Sequence, residues 1–248
     1  MPLRVTSHDG PAAGQLIEDA AHPGEWYLNE SRKARVFIVS YPRSGHHALM
    51  GFLKRVTDLH NEYCEFYNCQ THDGKAIECP KKLLNWRLKG YQCGAGRRVI
   101  KTHDFDLALP IKHEWRYIVQ YRHPIPAIQS WYELESRKRK LDAEKFAIES
   151  LDFWKQFLSK WVLSDAQGDD EHDNRHDNLL RLNYDCLADR ENLESVAEFC
   201  QADLSMPPNF RPNFKPRRNL DEIPGFLREF EPEIQPWLDR AGIQPLFA

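Results

Sequence analysis

One segment constrains the fold more than any other, because three local patterns follow one another without a break. Residues 36–39 are Val-Phe-Ile-Val, an apolar run rich in β-branched residues that predicts a buried strand. Tyr-Pro-Arg-Ser-Gly follows at 41–45, with Pro42 and Gly45 as turn residues. A helical pattern begins at residue 46. The sequence therefore predicts a strand, a tight basic loop and a helix in series.

A loop of this composition is suited to binding an anion. Pro42 fixes the turn, and Gly45 lets a ligand approach the backbone closely. Arg43 adds a permanent positive charge, and the first N–H groups of the following helix point at whatever the loop holds. Many α/β proteins carry such a loop, so this segment alone is equally compatible with ordinary loop chemistry.

Two further segments of the same kind follow in chain order. Residues 99–105 form a short apolar run that ends in a Lys-Thr-His cluster. Residues 115–124 form another that ends in a basic turn containing Arg122, and Ser130 lies eight residues beyond that arginine. Three such segments in order favour an anion site over ordinary loop chemistry.

On these motifs the chain resembles sulfotransferases that use 3′-phosphoadenosine 5′-phosphosulfate (PAPS) as the sulfonate donor. The family's donor loop reads Tyr-Pro-Lys-Ser-Gly-Thr-Thr-Trp, and residues 41–48 are similar at five of eight positions. The family's Lys-Thr-His motif is present at 101–103, and its arginine and serine eight residues apart match Arg122 and Ser130. A family pattern of strand, Tyr-Glu-Asp and helix resembles residues 179–200. The matches cover most of the chain.

The resemblance implies an α/β fold, with a P-loop-like parallel sheet flanked by helices in one domain over residues 1–248. The expected organisation is an N-terminal arm at 1–34, an irregular, loop-rich insertion at 61–97 that contributes to the acceptor pocket, and a Pro-rich C-terminal segment at 205–248. Along the chain, the pattern of tryptophans and leucines at 144–163 predicts a helix whose stripe faces the core.

The same resemblance implies a reaction, the in-line transfer of sulfonate from PAPS to a hydroxyl or amine of a small molecule, with no metal required. His103 is expected to act as general base, because an imidazole with an ordinary pKa near ~6.5 accepts a proton at neutral pH. Arg43 is expected to neutralise charge on the leaving phosphate oxygen, and Lys101 to hold the sulfonate oxygens.

The resemblance also implies a larger set of donor-binding residues. The product that remains at this donor site after transfer would be adenosine 3′,5′-bisphosphate. The donor-binding residues lie in the loop, at the 3′-phosphate pair, after the last strand and near the C-terminus: Arg43, Ser44, Gly45, His46, His47, Arg122, Ser130, Tyr184, Arg217 and Arg218. Arg122 and Ser130 are expected to bind the 3′-phosphate, which distinguishes PAPS from ATP. The C-terminal basic stretch matches its family counterpart only in part and is equally typical of a solvated loop.

The donor loop departs from the family pattern at several positions. Arg43 replaces a lysine, which keeps the charge and changes its geometry. His46 and His47 replace threonines, so imidazole N–H groups would replace hydroxyl donors. Ala48 stands where the family has a tryptophan that stacks on adenine, which leaves the adenine contact open between Tyr184 and a C-terminal aromatic residue.

Composition and charge limit the classes of binding partner and the location that we expect for this protein. A net charge of −3 gives no basic field for nucleic acid or anionic membranes. No apolar run approaches the roughly 20 residues of a membrane helix, and Met1–Gly24 lacks the apolar core of a signal peptide, so a cytoplasmic protein is expected. Six cysteines without a Cys-x-x-Cys pair favour reduced thiols over a metal site.

The acceptor is expected to be a small molecule, and acidic residues near the motifs make a polar or cationic one a hypothesis: Glu62, Glu65, Asp104 and Asp106. Aromatic residues of the insertion and after the Lys-Thr-His motif are candidate pocket walls: Tyr63, Phe66, Tyr67, Phe105 and Trp131. The motifs say nothing of the oligomeric state, or of whether oxygen or nitrogen accepts the sulfonate.

Two other functions stay open at this point. A P-loop kinase has a related fold, but its loop needs Gly-x-x-x-x-Gly-Lys-Ser/Thr, and here position 40 is serine and the loop holds one glycine. A nucleotide-binding relative without catalytic activity is favoured by the unusual His46, His47 and Ala48, whereas Arg43 and His103 favour an enzyme.

Overall fold

A computed structural model describes residues 16–18, 26–28, 35–64, 97–164, 177–207, 210 and 223–247. The strands in chain order are β1 (Leu16–Glu18), β2 (Trp26–Leu28), β3 (Arg35–Ser40), β4 (Tyr63–Cys64), β5 (Val99–Thr102), β6 (Trp115–Tyr121) and β7 (Leu179–Asn183). β1 and β2 form an antiparallel pair. The other five form one parallel sheet in the order β4-β5-β3-β6-β7.

Helices flank this sheet. They are α1 (His46–Val56), α2 (Pro124–Ser136), α3 (Ala143–Trp161), α4 (Arg190–Phe199), α5 (Gly225–Arg228) and α6 (Glu231–Arg240). The expected α/β fold with a parallel sheet flanked by helices is confirmed. Among the described helices, none is both long enough and apolar enough to cross a membrane.

The sheet separates two hydrophobic cores, because alternate side chains of a strand point to opposite faces. Val36 and Ile38 of β3 face a core built with α1 and α4. Phe37 and Val39 face a second core built with α2, α3 and α6. Both tryptophans of α3 are fully buried in this second core, so the expectation that the stripe of α3 is core-facing is confirmed.

β3 is the central strand, and the chain order reverses on either side of it. The connection through α1 leads to β4 and β5 on one side, and β6 and β7 lie on the other. At such a reversal, the loops leaving neighbouring strands diverge and open a crevice at the carboxyl ends of the strands. The loop after Ser40 therefore lies between the ends of β5 and β6, where the sequence motifs occur.

The structure adds elements that the sequence patterns do not reveal. Residues Tyr63–Cys64, at the start of the expected irregular insertion, form an edge strand that pairs with β5. The sequence does not reveal this strand, because two residues are too few to show an alternating pattern. The N-terminal arm likewise contains the β1–β2 pair. Most of the insertion, residues 65–96, and the segment 211–222 lie outside the described residues.

The described cysteines differ in burial, which controls how readily a thiol reacts. Cys64 and Cys200 are buried, Cys186 is exposed, and each of these three residues is a thiol and not half of a disulfide. Burial raises the pKa of Cys200 to about 12, despite two nearby arginines that oppose the shift. Because the thiolate is the reactive species, Cys200 should be almost inert at neutral pH.

We therefore expect iodoacetamide to alkylate Cys186 in the native protein at a rate at least on the order of 100-fold above that of Cys200. Peptide mass mapping of a timed reaction measures both rates, and the same reaction in denaturant should make them similar. Equal native rates at the two positions would show that the core around Cys200 is not packed as described.

Candidate functional site

The loop after β3 turns tightly into α1. The Tyr41 N–H donates to the Gln120 carbonyl at 3.0 Å, which extends the β3–β6 ladder by one bond, and the Ser44 N–H donates back to the Tyr41 carbonyl at 3.1 Å. Arg43 and Gly45 adopt positive φ angles of 66° and 86°. This backbone path brings the loop over the end of β3 and directs the start of α1 into the crevice.

The N-terminus of α1 has no side-chain cap among the described residues. Gly45 is the N-cap residue, and its carbonyl accepts the first hydrogen bonds of the helix, from the Ala48 and Leu49 N–H groups at 2.9 and 3.2 Å. The first N–H groups of a helix have no partner within the helix, and they carry the positive end of its dipole. An anion in the loop would meet these groups directly.

Tyr184, directly after β7, contacts the loop from the side. A Cβ atom added to Gly45 would lie within 2.6 Å of Cε2 of the Tyr184 ring, so only glycine allows this approach. The Arg122 guanidinium lies over the same ring, 4.4 Å from its centroid, and its Nη1 donates to the Arg43 carbonyl at 3.2 Å. The structure thus brings three expected donor-binding residues, Gly45, Arg122 and Tyr184, into one group.

The Arg43 side chain connects the loop to α2. Its Nε donates to Ser130 Oγ at 2.9 Å. The sequence pairs Ser130 with Arg122 in binding one phosphate, whereas the hydrogen bond of this hydroxyl in the structure is to Arg43. Arg43 therefore links the other two residues, since its guanidinium donates to Ser130 on α2 and its carbonyl accepts from the Arg122 guanidinium.

His103 follows β5 and lies beside the end of β3. Its Nδ1 is 2.7 Å from the Ser40 carbonyl oxygen and 3.2 Å from Ser40 Oγ. A carbonyl can only accept, so Nδ1 carries the proton and donates it, and Nε2 of the neutral ring holds the lone pair. This tautomer is the one in which Nε2 can accept a proton.

Lys101 and His46 lie on the α1 side of the sheet, and each is 5 % exposed. Lys101 is in register with Ile38 of β3 and so shares its face of the sheet. His46 Nε2 hydrogen-bonds the Tyr63 hydroxyl, and the His46 ring centroid is 6.4 Å from that of His103. Tyr63 is thus a buried partner of His46 and does not form an exposed pocket wall.

Aromatic rings extend outward from His103. The Phe105 ring is 58 % exposed, and its centroid lies 5.3 Å from that of His103. Trp131 and Phe153 flank it at 5.8 and 5.7 Å. Asp104, one of the acids considered for a cationic acceptor, is only 6 % exposed, and side chains of α3 contact its carboxylate.

This chain matches known proteins in structure and not in sequence. No family model matches it, and no curated protein matches it. Among solved structures, it is similar to the sulfotransferase domain of the olefin synthase from Synechococcus PCC 7002. The two share 15% sequence identity, the match covers 80% of this chain and 84% of that one, and the TM-score is 0.41. Similarity of this degree does not by itself assign a function.

Two buried polar side chains at the crevice have no hydrogen-bond partner among the described residues. They are the Ser44 hydroxyl in the loop and the Gln120 amide on β6. An unpaired buried polar group costs roughly 1–3 kcal/mol, a cost that a hydrogen-bonding ligand offsets. Ser44 is among the residues expected from sequence, whereas Gln120 is missed, because one polar residue in an apolar strand carries no distinctive signal.

Some expected site residues cannot be placed. Arg217 and Arg218 lie outside the described residues, as do Phe66 and Tyr67 of the insertion. Within the described part of the chain, no cluster of three or more His, Cys, Asp or Glu side chains could hold a metal ion. His47 is exposed at the start of α1, and its ring centroid is 5.8 Å from that of His46.

Proposed function

We propose that this protein transfers a sulfonate group from PAPS to a hydroxyl or amine group of a small-molecule acceptor. The observation that carries the proposal is the convergence, at the carboxyl ends of β3, β5 and β6, of an anion-binding loop and an oriented imidazole. The loop contributes Arg43 and the uncapped start of α1. The imidazole is His103, whose Nδ1 donates to the Ser40 carbonyl.

The residues of the loop fit the phosphosulfate end of the donor, which supplies the activated sulfonate when bound. Gly45 has no side chain to cap the first amides of α1, and any side chain at this position would meet the Tyr184 ring. The buried Ser44 hydroxyl, unpaired among the described residues, is a donor suited to an anionic oxygen. Arg43 adds the positive charge that a phosphosulfate requires.

The remaining chemistry follows from the positions of the charged groups. Transfer breaks the S–O bond to the phosphate and forms a bond from sulfur to the acceptor, whose proton goes to His103 Nε2. Arg43 compensates the negative charge that develops on the leaving phosphate oxygen, and Lys101 is the candidate to hold the sulfonate oxygens. A well-placed donor of this kind contributes roughly 3 kcal/mol to the stabilisation of a transition state.

Arg122 is the candidate to bind the 3′-phosphate. Arg43 connects it to Ser130, because the Arg43 carbonyl accepts from Arg122 and the Arg43 side chain donates to Ser130. The Arg122 guanidinium is held by the Arg43 carbonyl and the Tyr184 ring, so little conformational entropy is lost when it binds an anion. A dedicated arginine at this phosphate would let the site distinguish PAPS from ATP.

The proposal is tested first on the donor site, where no acceptor is needed. We expect adenosine 3′,5′-bisphosphate to bind with micromolar affinity in a calorimetric titration without magnesium. Arg122→Met should weaken this binding about 10- to 100-fold, because a charge-assisted hydrogen bond contributes roughly 1.5–3 kcal/mol. Arg139→Met, at an exposed arginine beyond the end of α2, is the matched control and should bind like the parent.

The same titration separates the other two functions. Binding of Mg-ATP without binding of the bisphosphate would overturn the proposal in favour of a P-loop kinase. Bisphosphate binding without sulfonate transfer from labelled PAPS, in a screen of phenols, alcohols and amines, would favour a nucleotide-binding protein without catalytic activity.

A further inference from the structure

A buried cluster at the start of the loop that follows His103 has no part in the mechanism above. The Asp104 carboxylate accepts three hydrogen bonds. Its Oδ2 accepts from Lys160 Nζ at 2.7 Å and from Trp161 Nε1 at 3.0 Å, and its Oδ1 accepts from the Leu109 N–H at 2.8 Å. The residue next to His103 is thus attached to α3 and to the far end of its own loop.

Lys160 supports the same loop from α3. Besides Asp104, its Nζ contacts the Leu107 carbonyl at 2.8 Å and the Leu109 carbonyl at 2.6 Å. An ammonium group has three N–H donors, so these three acceptors match its full capacity. Burial lowers the pKa of Lys160, and the Asp104 carboxylate opposes that shift. The Asp104 carboxylate therefore offsets part of the cost of burying the ammonium group, and the three contacts direct Nζ at the loop.

The loop that these residues hold is strained. Asp104 and Leu107 adopt φ angles of 46° and 53°, in the left-handed region that residues with a Cβ atom disfavour. Such a backbone persists only where the surrounding contacts over-determine it, and strain of this kind concentrates at functional sites. The loop carries His103 at its start and the exposed Phe105 ring two residues later.

We infer that Asp104, Lys160 and Trp161 are positioning residues that hold His103 and Phe105 in the arrangement needed at the acceptor side. The inference rests on the proposed function. In this inference the three residues act through their hydrogen bonds to one another and to the loop, and not through contact with donor or acceptor. A misplacement of about 1 Å at a reacting group can lower a rate about 100-fold, so loosening the loop should reduce transfer without weakening donor binding.

The test compares Asp104→Asn and Lys160→Met with Lys155→Met as the matched control. Lys155 lies on the same helix and pairs with Glu233 of α6, so its replacement removes an ion pair between α3 and α6 and leaves the hydrogen bonds from Lys160 to the loop in place. Lys160→Arg is the conservative variant, since a guanidinium can donate to the same carboxylate and carbonyl oxygens. Asp104→Asn keeps the shape of the side chain and provides a second variant if Lys160→Met folds poorly.

Three measurements are made on each variant. Affinity for adenosine 3′,5′-bisphosphate should stay within about threefold of the parent, while kcat should fall about 10- to 100-fold in Asp104→Asn and Lys160→Met. Lys160→Arg should recover part of this loss, and Lys155→Met should retain the parent's kcat. The rate at which diethylpyrocarbonate modifies His103, read by peptide mass mapping, should rise severalfold in the two loosened variants.

The outcomes separate this inference from the proposed function. If bisphosphate affinity and kcat fall in parallel, the cluster is only a structural support and the inference is wrong. An unchanged kcat and an unchanged His103 modification rate would also overturn it. If the parent protein neither binds the bisphosphate nor transfers sulfonate, the proposed function fails, and the His103 modification rate still decides whether the cluster orients this imidazole.

Discussion

Replacing His103 by glutamine is expected to lower the rate of sulfonate transfer about 10²- to 10⁴-fold and to leave the affinity for adenosine 3′,5′-bisphosphate nearly unchanged. The physical reason lies in the two ring nitrogens. Nδ1 donates to the Ser40 carbonyl at 2.7 Å, a bond that a glutamine amide can replace. No atom of glutamine can take the acceptor's proton as Nε2 can. The variant therefore keeps an orienting hydrogen bond and loses the base.

The measurement is a single-turnover assay with labelled PAPS and an acceptor found by screening. Single turnover isolates the chemical step from product release, which limits kcat in many enzymes. His113→Gln, at an exposed histidine in the turn before β6, is the matched control and should react like the parent. A His103→Gln enzyme with the parent's rate would show that another group removes the proton.

Replacing Gly45 by alanine should abolish donor binding and lower the free energy of unfolding by about 2–4 kcal/mol. Two effects add here. Gly45 has a φ of 86°, which disfavours any residue with a Cβ atom. The new Cβ would also lie within 2.6 Å of the Tyr184 ring, which would have to move. Since Arg122 lies over that ring, moving the ring displaces the group proposed to bind the 3′-phosphate.

Two other glycines separate these effects. Gly242 has a φ of 63°, and a Cβ there would meet no described atom within 4 Å, so Gly242→Ala measures backbone strain alone. Gly51 lies inside α1 with only the flexible Arg55 side chain near, at 3.4 Å, so Gly51→Ala should be neutral or stabilise by about 0.5–1 kcal/mol. Chemical denaturation gives the free energies of unfolding, and calorimetry gives the bisphosphate affinity. If Gly45→Ala behaves like Gly242→Ala, the Tyr184 contact does not matter.

The main elements of the sheet can be predicted from sequence because each is an apolar run bounded by turn residues. The runs at 36–39, 99–102 and 115–121 are all strands of the parallel sheet, and the stripe on α3 is buried as expected. β4 is missed because its pairing with β5 depends on where the chain returns, which a two-residue segment does not encode.

The candidate site likewise has features that sequence predicts and features that it does not. The motifs identify which residues converge, and the structure brings His103, Arg43 and Arg122 to one edge of the sheet because all three follow parallel strands. The bond from Arg43 to Ser130 could not be predicted, since it spans 87 residues and depends on how α2 crosses the loop. Gln120 is not predicted from sequence, because only the burial of its amide without a partner among the described residues marks it as a candidate ligand contact.

Sequence by itself therefore determined where the three main strands and the loop after the first of them lie along the chain, and which charged groups follow these strands, because these features come from local apolar runs and turn residues. Tertiary structure decided the sheet order, the His103 tautomer through Ser40, the packing of Tyr184 on Gly45, and the support of the His103 loop by Lys160. The reason is that each of these depends on contacts between residues far apart in the chain, and only packing around the shared cores sets those contacts.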